Sequence, residues 1–517
     1  MLAVCTAATL GAATSGCRVN EDDIHRWENT VHGPDKLKAV LLHDKYDHAL
    51  RVEAALSLVR MAPRSGQRVG IPIMVETLAQ VSPEARQGIV ASLVPAIIVE
   101  LKKPPPVAQA GQPSPPDPSY PYKDAGYAML TFDRTVIVAD EQLKTSLKGA
   151  LVEWAMADFE HRLENRKQAY GMEQLLRYVG AESVVGLPKL MTRDSKRLEQ
   201  MSLLVKELGD DKTKQAASTA LVAVARYIMS DEWVKVKTPD LQAANAASKL
   251  EPTPPQFQAQ LNQYQDEELF RVFGAMRNVG GRPAVDFAFE VASKKEQGEK
   301  RRQAALAALE GKLDRNNPDD IKRVLDIAMS DAPDVVLDQA FRRIGEMPRE
   351  LVVQKLYEIF RTDKWKVRRA AASTVLKMST VKHLDEFMTK LDDAKSFAMP
   401  EALGYGAQIG DLKDGDVRAE LKKHYASKNM PAKTTALGYW FTHGTKNEVG
   451  EVEAYEKDGQ TIPVCETDPD CKWTCDVPKE GSKDPKERES KDIKTVGEFV
   501  RFCVIPTMKE REQAPKK

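Results

Sequence analysis

Two distant segments of this 517-residue chain can be superimposed, and this internal similarity constrains the fold most strongly. Residues 50–61 (LRVEAALSLVRM) and 367–378 (VRRAAASTVLKM) share apolar side chains at their first, fifth, sixth, ninth and twelfth places. These offsets place the shared side chains on one face of an α-helix. A chain that returns to the same amphipathic helix is predicted to be a repeat array, in which each unit buries its apolar face against the next.

Alanines mark the corresponding place in further segments of the chain. The anchor alanines of the later repeats are Ala304, Ala340, Ala371, Ala402 and Ala436, separated by 31 to 36 residues. A period of this size indicates stacked helical hairpins. Between the anchors, Asn317-Pro318 and Met347-Pro348 carry the proline that is typical of a first helical turn, so each is predicted to open a partner helix.

The repeated segment resembles the second helix of a HEAT repeat. In that family an apolar residue followed by arginine precedes a pair of alanines, as at Leu50-Arg51 and Val367-Arg368, and an aspartate such as Asp47 or Asp363 often stands just before. Asp47 is predicted to cap the helix that follows it. The resemblance implies an all-α fold, an α-solenoid of stacked antiparallel helix pairs. An irregular helical bundle is the alternative architecture.

Composition excludes several functional classes. Lys plus Arg and Asp plus Glu both number 76, so the formal net charge is zero, and a free-standing nucleic-acid binder usually carries a basic excess. Beyond the N-terminus no apolar run is long enough to span a bilayer, which argues against a multi-pass membrane protein. Aromatic residues make up only 6% of the chain, which favours closely packed helices over sheets.

The N-terminus has the features of an export signal. Residues 1–16 are small and mostly apolar, and Cys17 is followed by a polar segment. Residues 14–17 (TSGC) resemble the lipobox of bacterial lipoproteins, in which the cysteine is acylated and becomes the first mature residue. The resemblance is incomplete, because Thr14 stands where the family prefers leucine and no basic residue precedes Arg18. Plain secretion and a cytoplasmic location are the alternatives.

Proline-rich stretches divide the chain. Residues 102–121 contain eight prolines and are predicted to form a projecting loop or a docking segment for a partner. Helical character resumes at about Asp140. The predicted organisation is a signal peptide (1–17), N-terminal helical repeats (18–101), the proline-rich loop (102–121), further repeats (122–237), a linker-like seam (238–257), HEAT-like repeats (258–458) and a cysteine-containing cap (459–517).

The cap carries four of the six cysteines. These are Cys465, Cys471, Cys475 and Cys503, and in an exported chain they predict two disulfides whose connectivity the sequence leaves open. A zinc site is the alternative, but the paired two-residue spacing of zinc knuckles is absent. Residues 476–494 are predicted to be a mobile charged loop, and residues 496–505 (VGEFVRFCVI) are apolar enough to dock on the array.

No pattern in the sequence predicts catalysis, a cofactor or a metal. His32, His43 and His48 lie close together in the first repeat, where polar turn histidines are a simpler explanation than metal ligands. Gly280-Gly281 lacks the spacing and lysine of a phosphate-binding loop and is better explained as a helix C-cap.

The predicted function is therefore a non-enzymatic scaffold that binds another protein, with no nucleic-acid partner. An N-terminal lipid would tether it to the bacterial cell envelope, and Arg18 after the cysteine favours the outer membrane. Candidate partner-binding residues on the second helices are Arg51, Arg342, Arg343, Trp365, Arg368 and Arg369. For each of them the alternative is a ladder contact inside the array or a solvated side chain. An enzyme on a HEAT-like fold, similar to bilin lyases or to a class of DNA glycosylases, is the alternative, which the signal and the neutral charge disfavour.

Overall fold

The structure is a computed structural model that describes residues 19–64, 66, 68–107, 115–164, 170–391, 396–463, 468–478 and 487–512. Tertiary contacts divide the chain into two compact units, Met1–Ala220 and Leu221–Lys517. The boundary falls inside a helix, whereas the sequence had suggested a seam at residues 238–257. Cys17 and Cys465 lie outside the described residues, so the acylation of Cys17 stays a prediction.

Unit 1 is built from helical hairpins. Its helices are α1 (Glu21–Trp27), α2 (Gly33–Leu42), α3 (His48–Arg60), α4 (Gly70–Gln80), α5 (Pro83–Leu101), α6 (Tyr120–Thr131), α7 (Glu141–Ala157), α8 (Phe159–Glu164), α9 (Met172–Val179), α10 (Leu187–Leu190) and α11 (Leu198–Leu208), and α12 (Asp211–Ile228) crosses the unit boundary. Helices α2, α4 and α6 pack in one row, and α3, α5 and α7 pack in a second row.

Local sequence signals explain where these helices begin. Asp47 caps α3 by accepting a hydrogen bond from the backbone N–H of Leu50 at 2.9 Å, as the sequence predicted. Ser82 caps α5 in the same way, and Pro83 occupies the first helical position, where a missing N–H costs nothing. Each cap satisfies a donor that the first turn would otherwise leave unpaired.

Unit 2 continues the same architecture. Its elements are α13 (Asp231–Ala247), α14 (Pro254–Val279), α15 (Arg282–Ser293), α16 (Gly298–Ala308), α17 (Pro318–Ala328), α18 (Asp334–Ile344), α19 (Arg349–Ile359), α20 (Trp365–Lys377), α21 (Leu384–Lys390), α22 (Met399–Ile409), α23 (Val417–Lys422), α24 (Met430–His443), β1 (Thr474–Pro478), β2 (Arg488–Asp492), α25 (Val496–Phe499) and α26 (Ile505–Glu510). Helices α15 and α16, α17 and α18, and α19 and α20 form hairpins. Helices α16, α18, α20, α22 and α24 pack side by side as the row of second helices, which confirms the helix-pair repeat fold.

The anchor alanines form the contact line between second helices. Ala340, Ala371, Ala402 and Ala436 are completely buried, as predicted. In α16 the buried residue is Ala305, whereas Ala304 is half-buried, so the predicted register of this repeat was wrong by one residue. A shift of one residue turns a helix by about 100° and moves the apolar face off its neighbour.

Helices α22 and α24 approach most closely, because glycines replace larger side chains where they meet. A methyl group at Gly406 would overlap the backbone of Gly438, and one at Gly438 would overlap the carbonyl group of Ala402. The two backbones therefore touch with no side chain between them. The glycines have a packing role here, since neither has a positive φ angle.

Two segments are more helical than the sequence suggested. Helix α13 continues through Pro239 to Ala247, so the first half of the seam predicted at 238–257 is helical. Helix α6 begins at Tyr120, close to residue 122 where the further repeats were predicted to start, although helical character is apparent in the sequence only from about Asp140. The proline in α13 misled the prediction there. The Gly280-Gly281 pair does end α14, since the Gly280 N–H donates to the Met276 carbonyl and both glycines have positive φ angles.

The stretch 476–494, predicted to be a mobile charged loop, contains paired strands in its described part, and its residues 479–486 lie outside the described residues. Strands β1 and β2 pair antiparallel, and β2 lies inside the stretch predicted to be mobile. A disulfide joins Cys475 on β1 to Cys503, which lies in a π-helical turn (Val500–Val504) between α25 and α26. Val496, Phe499 and Val504 are completely buried, so this segment docks as expected. In the described part of the chain, no helix has the length and apolar character needed to cross a membrane.

Candidate functional site: a polar groove on the second helices

A buried arginine lies three residues before the anchor alanine in three of the second helices. These arginines are Arg51 in α3, Arg302 in α16 and Arg368 in α20, and each is at most 6% exposed. They donate to the carbonyl oxygens of Leu41 (3.0 Å), Ala292 (2.7 Å) and Thr362 (2.6 Å), respectively, at or just after the end of the preceding helix. The last turn of a helix leaves its carbonyl groups unpaired. In each hairpin this arginine of the second helix donates to one of the carbonyls at the end of the first helix and so links the two helices in the interior.

Arg51 and Arg368 therefore make ladder contacts inside the array, the alternative given for them, and are not exposed to a partner. Arg51 also pairs with Asp44, with 2.8 Å between its Nη1 and the Oδ1. Arg368 donates from Nε and Nη2 to the two carboxylate oxygens of Glu401, each at 2.7 Å, and Glu401 is completely buried. Helical periodicity placed both arginines on the second helices, but it did not show that their guanidinium groups turn into the hairpins.

Trp365 is also buried rather than presented to a partner. Its ring is 7% exposed and forms one apolar cluster with Ala398 and Cys471. Its Nε1–H donates to the Oδ2 of Asp468 at 2.8 Å. The C-terminal segment thus covers this tryptophan and joins the array beside α20.

A groove of about 1080 Å³ runs across the row of second helices in unit 2. It extends from Glu310, just after α16, across α18 and α20 to Gln408 on α22, and Asp470 of the C-terminal segment borders it. Four of the predicted partner-binding residues line this groove: Arg342, Arg343, Trp365 and Arg369. The structure therefore brings these four together, while Arg51 lies in the other unit.

The acidic side chains of the groove are all paired. Asp338 lies 3.0 Å from Arg342, Glu346 lies 3.1 Å from Arg343, and Asp470 lies 3.4 Å from Lys366. The fourth acidic residue, Glu310, pairs with Arg277 on α14. Each of these carboxylates therefore already has a cation.

The basic side chains are in excess. Five of them line the groove, and two, Arg369 and Lys377, are exposed and have no ion-pair partner in the described part of the chain. Both lie on α20, at the middle of the groove. The groove therefore carries positive charge that the chain itself leaves uncompensated, and this charge attracts an anion.

Arg343 is the most unusual of the five. It is 5% exposed, and neither its Nε nor its Nη1 has a hydrogen-bond acceptor in the described structure, although Nη1 is at ion-pair distance from Glu346. Burial lowers the pKa of its guanidinium, and the Glu346 carboxylate opposes that shift. A buried charged donor without an acceptor is costly, which distinguishes Arg343 from the satisfied Arg368.

The repeat alignment contains a signal for Arg343 that helical periodicity alone does not show. The place three residues after the anchor alanine holds Ser57, Ala308 and Thr374 in α3, α16 and α20, and a tyrosine, Tyr405 or Tyr439, in α22 and α24. In α18 this place holds Arg343, so among these six helices it is α18 that puts a charged side chain there. Lys366 and Lys377, which the sequence analysis did not propose, belong to the same groove.

Within the described residues, His32, His43 and His48 are not brought together as one set of ligands. His48 pairs with Ser92, with 3.0 Å between Nε2 and the hydroxyl oxygen. Within the described ranges, the cluster that could hold a metal ion is Glu21, His25 and Glu53, and it excludes His32 and His43. Arg60 already supplies a cation there, because it forms ion pairs with Glu53 and, at 2.7 Å, with Glu28.

No protein-family model and no curated protein matches the chain. Among solved structures, it is similar to a mutant of Kap121p, with 13% identity, a TM-score of 0.32, and coverage of 84% of this chain and 51% of that chain. The chain is 14% identical to Kap121p bound to Ste12p, with a TM-score of 0.30 and coverage of 84% of this chain and 43% of that chain. It is 14% identical to an engineered protein, with a TM-score of 0.21 and coverage of 81% of this chain and 93% of that chain. The chain thus spans about half the length of the Kap121p structures. At such low TM-scores these similarities carry no weight, and the fold assignment rests on the helix packing described above.

Proposed function

We propose that this chain is a non-enzymatic helical-repeat scaffold that binds a segment of another protein. The observation that carries the proposal is the groove that runs from the turn after α16 across α18, α20 and α22, with its uncompensated positive charge. A row of parallel second helices offers a long, shallow binding surface, which suits an extended polypeptide better than a small molecule. Arg342 and Arg369 are the exposed members of the predicted partner-binding set that lie in this groove.

Site-specific photocrosslinking in living cells tests this proposal. A benzophenone amino acid replaces Lys377 in the groove, or Lys355 on the exposed face of the first helix α19 as the matched control. We expect a discrete adduct with one protein from position 377 and none from position 355. Equal crosslinking at the two positions, or none at either, contradicts a partner site in the groove.

We further propose that the scaffold is tethered to the bacterial cell envelope by a lipid on Cys17, with its repeats facing the periplasm or the exterior. The proposal is supported by the lipobox-like residues 14–17 and by the Cys475–Cys503 disulfide, since disulfides persist in oxidising compartments. Cell fractionation is the test. Recovery with the outer membrane supports the proposal, whereas recovery in the cytosol contradicts it and favours the enzyme alternative.

A further inference from the structure

The groove of unit 2 combines a surplus of cations with a buried donor group that lacks an acceptor. Arg369 and Lys377 have no ion-pair partner in the described part of the chain, and the buried Nε of Arg343 has no hydrogen-bond acceptor there. Guanidinium groups form paired hydrogen bonds with carboxylates and with phosphates, in which two N–H groups meet two oxygens. The missing complement is therefore an oxyanion, and the zero net charge of the chain favours the carboxylates of a protein over the phosphates of a nucleic acid.

We propose that the groove binds an acidic, extended peptide segment of the partner protein, whose carboxylates pair with Arg343 and Arg369. This inference rests on the proposed function and names the chemistry of the segment. The Asp338–Arg342 and Asp470–Lys366 pairs border the same groove and keep those two cations occupied. The free positive charge is thereby confined to the centre of the groove, where Arg369 and Lys377 lie.

The dimensions of the groove set the length of the segment. It runs from the turn after α16 across α18 and α20 to α22, and packed helices lie about 8–10 Å apart, so its length is on the order of 27 Å. An extended chain rises about 3.3 Å per residue, so about eight residues fill the groove. A segment of this length with carboxylates near its middle would reach Arg343 and Arg369 together.

Selection from a display library of random linear octapeptides tests the composition of the ligand. The bait is the full chain with its disulfide intact, and the counter-selection uses the Ala370→Trp variant, whose new side chain fills the groove at α20. We expect the retained peptides to be enriched in Asp and Glu over the unselected library. Peptides that bind the groove without such enrichment overturn the acidic-segment inference but leave the proposed function standing.

Binding of a retained, fluorophore-labelled peptide then tests the residues. We expect Arg369→Gln to weaken binding about tenfold, the loss typical of one charge-assisted hydrogen bond. Arg315→Gln, which changes an exposed arginine in the loop between α16 and α17, is the matched control and should leave affinity unchanged. Replacing the peptide's acids by amides should weaken binding more than tenfold in the natural chain, and by a smaller factor in the Arg369→Gln variant, because one of its two arginine–carboxylate pairs is already lost.

Arg343→Met extends the test to the buried position, after circular dichroism has verified that the variant is folded. We expect at least a tenfold loss of affinity, and unchanged affinity would remove Arg343 from the site. If this variant does not fold, Arg369→Gln decides the inference alone.

Displacement of the peptide by short oligothymidylate at equal concentration would overturn a peptide-specific site. If no selected peptide binds the natural chain more tightly than it binds the Ala370→Trp variant, the groove does not bind a peptide and the proposed function fails.

Discussion

Arg368 and Arg369 are neighbours in the sequence, but one is buried and the other is exposed. Substituting each in turn therefore compares a buried arginine with an exposed one in the same helix. Arg368 is 2% exposed and pairs with the fully buried Glu401, whereas Arg369 is exposed in the groove. Arg368→Met leaves Glu401 charged and without its partner, so we expect a loss of about 3–5 kcal/mol in the free energy of unfolding. Arg369→Gln should change it by no more than about 0.5 kcal/mol.

Urea unfolding followed by circular dichroism measures both variants. A double variant, Arg368→Met with Glu401→Leu, should recover part of the loss, because no buried charge is then left unpaired. Equal losses for Arg368→Met and Arg369→Gln would contradict the assignment of one arginine to the interior and the other to the groove.

Tyr357 is expected to make unit 2 less stable as the pH rises into the alkaline range. Burial, together with the nearby Glu386 carboxylate, raises the pKa of Tyr357 to about 12 from an ordinary value of 10. Above pH 10 the unfolded chain therefore loses this proton before the folded chain does. The contribution of Tyr357 to stability is complete below pH 10 and is lost between about pH 10 and pH 12.

Tyr357→Phe removes this titration. Between pH 10 and pH 12, the free energy of unfolding of the natural chain should fall faster than that of the variant, by up to about 1.4 kcal/mol per pH unit. Chemical unfolding of both chains at several pH values measures this effect. The lysines titrate in both chains, so their contribution cancels when the two unfolding free energies are subtracted at each pH. Parallel pH profiles would show that Tyr357 titrates normally.

Residue-level roles were only partly predictable from the sequence. Periodicity correctly placed Ala371 in the interior, because the direction of a short side chain follows from its helical position. For Arg51 and Arg368 periodicity did not decide between a partner contact and an internal one, because a long side chain can leave the direction of its Cβ and reach a carbonyl at the end of the previous helix. Those contacts depend on how the hairpin closes, which lies beyond the pattern of one helix.

At the scale of helices, the contact between α22 and α24 depends on two glycines. Gly406→Ala would place a methyl group against the backbone of Gly438, where no flexible side chain can move aside. We expect a loss of at least about 1–3 kcal/mol in unfolding free energy, the usual cost of overpacking, because the helices must separate. Thermal unfolding followed by circular dichroism measures this loss.

Gly274→Ala is the matched control for this substitution. Gly274 also lies inside a helix, α14, but a methyl group there meets no atom within 4 Å. Alanine should therefore stabilise α14 by about 0.5–1 kcal/mol, since it restricts the unfolded chain more than glycine does. If Gly406→Ala were also stabilising, the close approach of α22 and α24 would be wrong.

Helix starts were more predictable than helix continuity. Asn317-Pro318 and Asp47 mark starts correctly, because a cap acts on the adjacent turn alone. Pro239 was assigned to a seam, yet it lies inside α13. A helix tolerates an internal proline when its other contacts outweigh the lost hydrogen bond, and a local pattern does not report those contacts.

At the scale of the whole molecule, the repeat architecture was the most predictable feature. Each hairpin buries its apolar face mainly against its neighbours, so the same apolar pattern must recur along the chain and is visible without knowledge of distant contacts. The C-terminal segment does not repeat. Its β1–β2 pairing and its contact with Trp365 are single long-range events, and the sequence predicted only that cysteines would constrain it.

Membrane attachment is also a property of the whole molecule, because one lipid would determine where all the repeats work. If the lipobox resemblance is correct, Cys17 is the acylated residue, and acyl burial supplies about 0.8 kcal/mol of membrane affinity per CH₂ group. Cys17→Ala should therefore release the protein from membranes washed with high salt. Cys5→Ala is the matched control and should stay attached, since Cys5 lies within the apolar stretch that precedes the lipobox. Retention of the Cys17→Ala protein after the wash would show that the attachment does not depend on this cysteine.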